Sequence, residues 1–125
     1  MLGSEIDLLH TKKNDFMLHN KFGIDYFVFN KKTFFKLKEF LIGRTCWDNW
    51  MIYECYKRKF KLIDDSLDGN CFHQNHDFSH IKSSNQNTHY KGTEREYNYK
   101  LSGSHKNLFT IEDSNYFFYN WSIKK

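Results

Sequence analysis

The stretch GRTCWDNWMIYECYK, residues 43–57, decides the fold. An apolar stripe runs through it at spacings of three, four and eight positions, formed by Trp47, Trp50, Met51 and Cys55. This period is that of one face of an α-helix, and Glu54 lies off the stripe. The sequence therefore predicts a helix over residues 48–57. Asp48 or Asn49 would lie in its first turn, where a carboxylate or an amide can accept the free backbone N–H groups.

The residues before this helix predict three further elements. The run IDYFVF, residues 24–29, is aromatic and β-branched and ends at polar residues, which favours a buried strand. Residues 33–39 place phenylalanines and a leucine among lysines, and we expect a short helix there before a turn at Gly43. At the start of the chain, Leu2, Ile6 and Leu9 have helical spacing and indicate a short helix.

The residues after the central helix alternate between strand and turn signals. FKLID, residues 60–64, and residues 70–74 predict two strands, the second of which delivers His73 to its end. Residues 82–88 are polar and predict a loop. A capping-box pattern at residues 93–96 predicts a helix over residues 94–101. The tail is either two strands or a strand and a short helix, because periodicity alone does not decide between them.

Length and composition indicate one small domain. The chain has 125 residues and 39% hydrophobic residues, with 13 Phe, 8 Tyr and 3 Trp. This length allows one core rather than two. Since rings bury a large area per residue, we expect a core built largely of rings. The fold class we predict is α/β, with a small mixed sheet and about three helices, and residues 1–125 form a single domain.

The basic charge does not come with a nucleic-acid motif. The net charge is +4, and the lysines are spread along the chain in short groups such as Lys57-Arg58-Lys59. We therefore expect no nucleic-acid partner. Three widely spaced cysteines form neither a disulfide framework nor a thiolate zinc site. No apolar run is long enough to span a bilayer and the N-terminus does not resemble a signal peptide, so we expect a cytoplasmic protein without a transmembrane segment.

Two short boxes carry the candidate chemistry. In HQNHDFSH, residues 73–80, three histidines fall within eight residues, at His73, His76 and His80. Imidazole is a common ligand of first-row metals. The same residues are also ordinary loop formers, and a role in loop structure alone stays open. In GRTCWDNW, Asp48 is flanked by two tryptophans, which is typical of a site that binds a sugar face and places a base on its hydroxyl, although a simple helix cap stays open.

The order of these segments resembles a known group of proteins. IDYFVF, GRTCWDNW, FKLID and HQNHDFSH, followed by Gly92, Glu94 and Asn98, resemble the C-terminal part of bacterial glycosyltransferase-like proteins, in which WDNW-type and HQNHDYSH-type boxes recur in this order. Phe78 stands where that group tends to have Tyr. The match covers residues 23–113. More loosely, the succession is similar to the second half of the GT-A glycosyltransferase fold.

The resemblance implies a function and a set of site residues. It implies transfer of a sugar from a nucleotide-sugar donor to a hydroxyl of a glycan or small-molecule acceptor, assisted by a divalent metal, Mn²⁺ or Mg²⁺. Asp48 would be the catalytic base or an acceptor contact. The expected substrate-binding residues are Arg44, Trp47, Asn49, Trp50, Gln74 and Asn75, and the expected metal-side residues are His73, His76 and His80.

The GT-A resemblance also implies a missing part. Such enzymes open with a nucleotide-binding region and an Asp-x-Asp metal motif, and neither is found in this sequence. We therefore expect a partial glycosyltransferase-like domain, inactive alone, that associates with a nucleotide-binding half or with a second copy. The alternative is a non-catalytic metal- or carbohydrate-binding module that uses His73, His76 and His80.

Metal analysis separates the two hypotheses. A catalytic Mn²⁺ or Mg²⁺ exchanges readily, so we expect elemental analysis of the purified protein to find no stoichiometric metal after extended dialysis. Stoichiometric zinc that survives dialysis would contradict this expectation and favour the metal-binding module.

Overall fold

A computed structural model of the protein describes residues 2–8, 16–18, 20–33, 35–69, 71–74 and 91–125. It is a mixed α/β structure. Its helices and strands in chain order are β1 (Leu2–Leu8), β2 (Phe16–Leu18), β3 (Ile24–Phe27), α1 (Trp47–Lys57), β4 (Ile63–Asp64), β5 (Cys71–Gln74), α2 (Thr93–Ser102), β6 (Tyr116–Tyr119) and β7 (Ser122–Lys124). Short 3₁₀ turns lie at Lys31–Thr33, His105–Asn107 and Ile111–Asp113.

The sheet is built around β1. β2 and β3 pair with it antiparallel, at its C-terminal and N-terminal ends respectively. β4 and β5 pair with it parallel, again at its two ends. β6 then adds to β4 in parallel, and β7 closes the edge as the antiparallel partner of β6. The predicted small mixed sheet is thus confirmed.

The N-terminal helix prediction is wrong, because Leu2–Leu8 is the central strand. Leu2, Ile6 and Leu9 have helical spacing, but Leu2, Ile6 and Leu8 also alternate with polar residues at a period of two. Pairing of this segment with four other strands decides in favour of the strand. The helical spacing is a local signal, whereas the strands that pair with this segment lie far away in the sequence and determine its conformation.

The predicted helix over residues 33–39 is also wrong. A 3₁₀ turn ends at Thr33, and residues 35–39 are not helical. The Asn30 side chain accepts a hydrogen bond from the Lys32 N–H and caps this short 3₁₀ turn. Burial alternates from Phe35 to Lys38, as in an extended segment. The described residues therefore contain two α-helices rather than about three.

The remaining elements agree with the sequence to within a few residues. The helices predicted over residues 48–57 and 94–101 are confirmed as α1 and α2, and each begins one residue earlier than predicted. No helix among the described residues is long and apolar enough to cross a bilayer. The strand predicted over residues 24–29 ends at Phe27. The strand predicted over residues 60–64 is reduced to Ile63–Asp64, and the next one begins at Cys71. The tail forms two strands, β6 and β7.

The core is aliphatic rather than aromatic. Ile52 on α1 is fully buried and packs with Ile24 and Leu62, while rings such as Phe27 and Phe109 surround this cluster and are only partly buried. Among the described hydrophobic residues that are fully shielded, Trp50 is the one aromatic. Among the residues whose side chains are described, the centre of the predicted ring-built core is therefore aliphatic, and rings pack around it.

A buried hydrogen bond links the two flanks of β1. The Tyr26 hydroxyl on β3 donates to Asp65 Oδ2, just after β4, over 2.8 Å. Gly69 packs directly against both groups, since a Cβ there would collide with the Asp65 carboxylate and the Tyr26 oxygen. Burial, and then the hydrogen bond and the negative charge of Asp65, raise the pKa of Tyr26 to about 12.

This pKa predicts a late step in the alkaline titration. The folded-state pKa of Tyr26 lies above its ordinary value of 10.0, so its contribution to stability is complete below pH 10 and is lost as the pH rises through about 12. Ultraviolet titration of tyrosinate should show one late tyrosine that disappears in Tyr26→Phe. Asp65→Asn should lower its pKa.

Tyr97→Phe is the matched control, because Tyr97 is exposed. It should leave the late step in place. A late step that survives in Tyr26→Phe would contradict the assignment.

Candidate functional site

The box GRTCWDNW forms a tight loop that leads into α1. Gly43 and Cys46 both have positive φ, of 82° and 85°. Cys46 precedes the first helical residue and accepts the backbone N–H of Trp50 at 3.0 Å. Such a left-handed residue costs energy when it carries a side chain, so the surrounding structure must hold it.

The contacts that hold this loop come from α2. Asn98 is fully buried. Its Oδ1 accepts the Leu41 N–H at 2.9 Å, and its Nδ2 donates to the Leu41 and Thr45 carbonyls at 2.9 and 3.1 Å. One amide thus satisfies three backbone groups at the two ends of the loop, groups that would otherwise lose their partners away from water.

A second contact between the loop and α2 is electrostatic. Arg44 Nε forms an ion pair with Glu94 in the first turn of α2, and another guanidinium nitrogen donates to the Gly43 carbonyl. Arg44 is mostly shielded from solvent, whereas Glu94 is more than half exposed. Arg44, a predicted substrate-binding residue, is therefore already engaged in joining the loop to α2.

Asp48 lies in the first turn of α1 and is half-buried. Its Oδ1 accepts the backbone N–H of Asn49 at 2.9 Å. Backbone N–H groups and the positive end of the helix dipole stabilise a carboxylate at this position. Trp47, one residue earlier, is also half-buried, and its ring lies 5.8 Å from that of Phe27.

The other two residues of the box face inward. Asn49 is buried; its Nδ2 donates to the Phe109 carbonyl at 2.8 Å, and its own carbonyl accepts the Phe109 N–H. Trp50 is 4% exposed, with Phe40 at 5.1 Å between ring centroids and the Lys38 ammonium 5.0 Å from its ring. These contacts give Asn49 and Trp50 roles inside the fold, and neither offers a surface to a ligand in this conformation.

The structure describes only the first two residues of the histidine box. His73 and Gln74 lie on β5, paired with Asp7 and Leu8 of β1. Asn75, His76 and His80 lie outside the described residues, as does the loop predicted over residues 82–88. The described part of the chain contains no group of three or more His, Cys, Asp or Glu side chains that could hold a metal ion.

His73 and the first residue of α1 are associated with opposite ends of β1. Phe27, which contacts Trp47, pairs with Leu2, whereas His73 pairs with Asp7. Five residues of strand, about 17 Å at roughly 3.3 Å per residue, separate these two levels. The described contacts thus do not bring His73 to Asp48.

Sequence reasoning assigned no role to several residues that shape this site. Asn98 and Glu94 stood in the segment that resembles glycosyltransferase-like proteins, and they contact the loop before Asp48. Phe109 was missed altogether, and no local signal could have found it, because its contact with Asn49 spans 60 positions. Glu54, predicted to lie off the buried face, is buried and lies near the cations of Lys57 and Arg58.

Comparison with protein-family models, with curated proteins and with solved structures finds no match for this chain. A functional assignment therefore depends on the two sequence boxes and on the geometry around Asp48.

The Asn98 contacts predict a stability cost that is focused on the loop. Asn98→Ala leaves three partly buried backbone groups without this partner, and a fully buried group in that state costs roughly 1–3 kcal/mol. We expect a lower urea midpoint and faster hydrogen exchange at the Leu41 amide. Lys100→Ala on the same helix is the matched control, since Lys100 is exposed, and it should leave both measurements unchanged. Equal exchange rates at Leu41 in the two variants would contradict this role.

Proposed function

We propose that this chain forms the acceptor-side and metal-side part of a GT-A-type glycosyltransferase, which transfers a sugar from a nucleotide-sugar donor to an acceptor hydroxyl. The observation that carries the proposal is the setting of Asp48. Its carboxylate is half-buried in the first turn of α1, directly after a loop that Asn98 holds by three hydrogen bonds. A general base must be held within a small tolerance, and such support is what a catalytic position requires.

Trp47 supports a sugar as the group that Asp48 would act on. Its ring is half-buried and adjacent to the carboxylate in sequence. An aromatic ring provides an apolar face for the C–H side of a sugar, while a carboxylate accepts from its hydroxyls. Asp48 in this role accepts the proton of the acceptor hydroxyl as its oxygen attacks the donor sugar. Asn49 and Trp50 would then act by positioning α1.

The order of elements supports the GT-A part of the proposal. A strand, the loop with its helix, a second strand pair and the histidine box follow one another as in the resemblance, and β1, β4, β5 and β6 pair in parallel within a mixed sheet. Parallel strands joined through a helix are the usual framework of nucleotide-dependent α/β enzymes.

The metal side of the proposal depends on His73, His76 and His80. A divalent ion, Mn²⁺ or Mg²⁺, would offset the charge that develops on the donor diphosphate. His73 pairs with the C-terminal part of β1, whereas Trp47 contacts a strand that pairs with its N-terminal end. His73 and Asp48 would therefore contact different parts of one extended donor and acceptor pair. His76 and His80 are the remaining candidates for a position nearer to Asp48.

Binding of an acceptor can be tested on this chain without a donor. In ¹⁵N-labelled protein the three tryptophans give three indole N–H signals. Titration with a panel of mono- and oligosaccharides should shift the Trp47 signal. Trp50, which is buried, and Trp121, which is 91% exposed in the β6–β7 turn, are internal controls and should stay in place. A panel that leaves Trp47 unmoved, or shifts Trp121 equally, would contradict the proposal.

The role of Asp48 is tested by an isosteric variant. Asp48→Asn keeps the shape and removes the base, and transfer from nucleotide sugars with Mn²⁺, measured in a complex that is active with the parent chain, should fall roughly 10²–10⁴-fold. Glu112→Gln is the matched control, because Glu112 is exposed and pairs only with Lys21 among the described cations. Saccharide binding without transfer by any such complex, and unchanged by Asp48→Asn, would instead support a non-catalytic carbohydrate-binding module.

A further inference from the structure

An apolar cavity of about 390 Å³ lies beside α1. Its walls come from the end of β3 and the residues after it, from residues 33–37, from α1, and from residues 60–63. Six of its lining side chains are Phe27, Phe35, Met51, Cys55, Phe60 and Leu62. Ligand cavities in proteins fall at roughly 300–1,000 Å³ and are lined mainly by apolar and aromatic groups.

The cavity has a closed end and an open end. Met51 and Leu62 are buried. At the open side Val28 and Phe29 are 54% and 53% exposed. An apolar chain that entered here would cover ring and aliphatic surface that now faces water, which is favourable at about 25 cal/mol per Å² of apolar area.

Two cations lie at or beside the lining of the cavity. Lys61 lines the cavity and is exposed. The Arg58 guanidinium lies 4.8 Å from the centroid of Phe35, one of the lining rings. None of the described residues that line the cavity is acidic. Glu54, the residue before Cys55 on α1, is not one of the lining residues, and its carboxylate is 4.0 Å from the Arg58 guanidinium.

We propose that this cavity binds the hydrocarbon chain of a single-chain anionic amphiphile, with its carboxylate or phosphate head beside Lys61 and Arg58. The apolar lining selects the chain, and the basic mouth selects the sign of the head group. Asp48 does not line the cavity. Binding here does not involve the Asp48 carboxylate, and Asp48→Asn should leave it unchanged.

Calorimetry with two ligands of equal chain length tests the proposal directly. Decanoate, used below its micelle concentration with the whole chain, should bind saturably at one site. Decyltrimethylammonium carries the same chain with the opposite charge and should bind at least about tenfold more weakly, because it meets Lys61 and Arg58 as a like charge. Equal affinity for both ligands, or no saturable binding of decanoate, would overturn the proposal.

The cysteines locate the bound ligand. Cys55 lines the cavity, whereas Cys71 is half-buried on β5 and does not. Labelling with N-ethylmaleimide, followed by peptide mass spectrometry, gives a separate rate for each thiol. With decanoate at ten times its Kd, labelling of Cys55 should slow about tenfold, and that of Cys71 should not change. Equal protection of both thiols would mean non-specific detergent-like binding and would overturn the proposal.

Two variants and one control complete the test. Met51→Trp fills the cavity and should abolish decanoate binding. Since that change can also disturb the fold, Lys61→Glu at the mouth provides a second reading and should weaken decanoate binding at least about tenfold. Lys100→Glu makes the same charge change on α2 and should have no effect. Equal losses in Lys61→Glu and Lys100→Glu would overturn the assigned site.

Other occupants of the cavity give distinct outcomes. Cys55 protection that rises with protein concentration in the absence of ligand would indicate a second copy of the chain. Binding to anionic vesicles, without any binding of monomeric decanoate, would indicate a membrane surface. Either result would overturn the proposal of a single-chain ligand.

Discussion

The amide of Asn98 is the interaction on which the rest of the structure depends. The loop from Leu41 to Cys46 belongs to no helix or strand. It ends at a cysteine with a left-handed backbone conformation, directly before α1 begins. Asn98 supplies partners to backbone groups at both ends of this loop. The direction in which α1 leaves the loop is fixed by these bonds, and α1 in turn places Ile52 in the core. A buried polar group of this kind is stabilising only when its partners are all in place, so loop, α1 and α2 must form together.

The sequence predicts the elements whose signals are local. The apolar stripe of α1 and the capping-box pattern at residues 93–96 each lie within one element, and both helices were found to within a residue. The predicted capping box itself is wrong, because Gly92 precedes the first residue of α2 and no side chain caps the helix. β1 and residues 33–39 were missed because their conformations are decided by distant partners. Leu2–Leu8 has both helical and alternating spacing, and pairing with four strands makes the choice. At residues 35–38 side chains alternate between half-buried and exposed positions because some of them pack against aromatic rings of α1. The lysines among them hide this alternation in the sequence.

The candidate site was predicted in part for a similar reason. A helix turns about 100° per residue, so four consecutive residues point in four directions. The box from Trp47 to Trp50 therefore cannot face one ligand as a whole, although it reads as a unit in the sequence. Asp48 and Trp47 remain half-buried, while Asn49 and Trp50 are directed into the fold. Spacing could have predicted this division, but the partner of Asn49, Phe109, could not be found from the sequence, because 60 positions separate the two residues.

The aromatic and basic composition has a common structural consequence. Aliphatic residues fill the centre, and rings form a layer around it, where planar groups cannot interlock as closely as branched side chains. Cations cover several of these rings: Arg58 lies over Phe35, Lys38 over Trp50 and Lys61 over Tyr116. Each contact keeps the charge near water while its stem covers ring surface. Where two segments that carry such rings meet without filling the space between them, an apolar cavity with cations beside it remains. This condition is met between α1 and the end of β3.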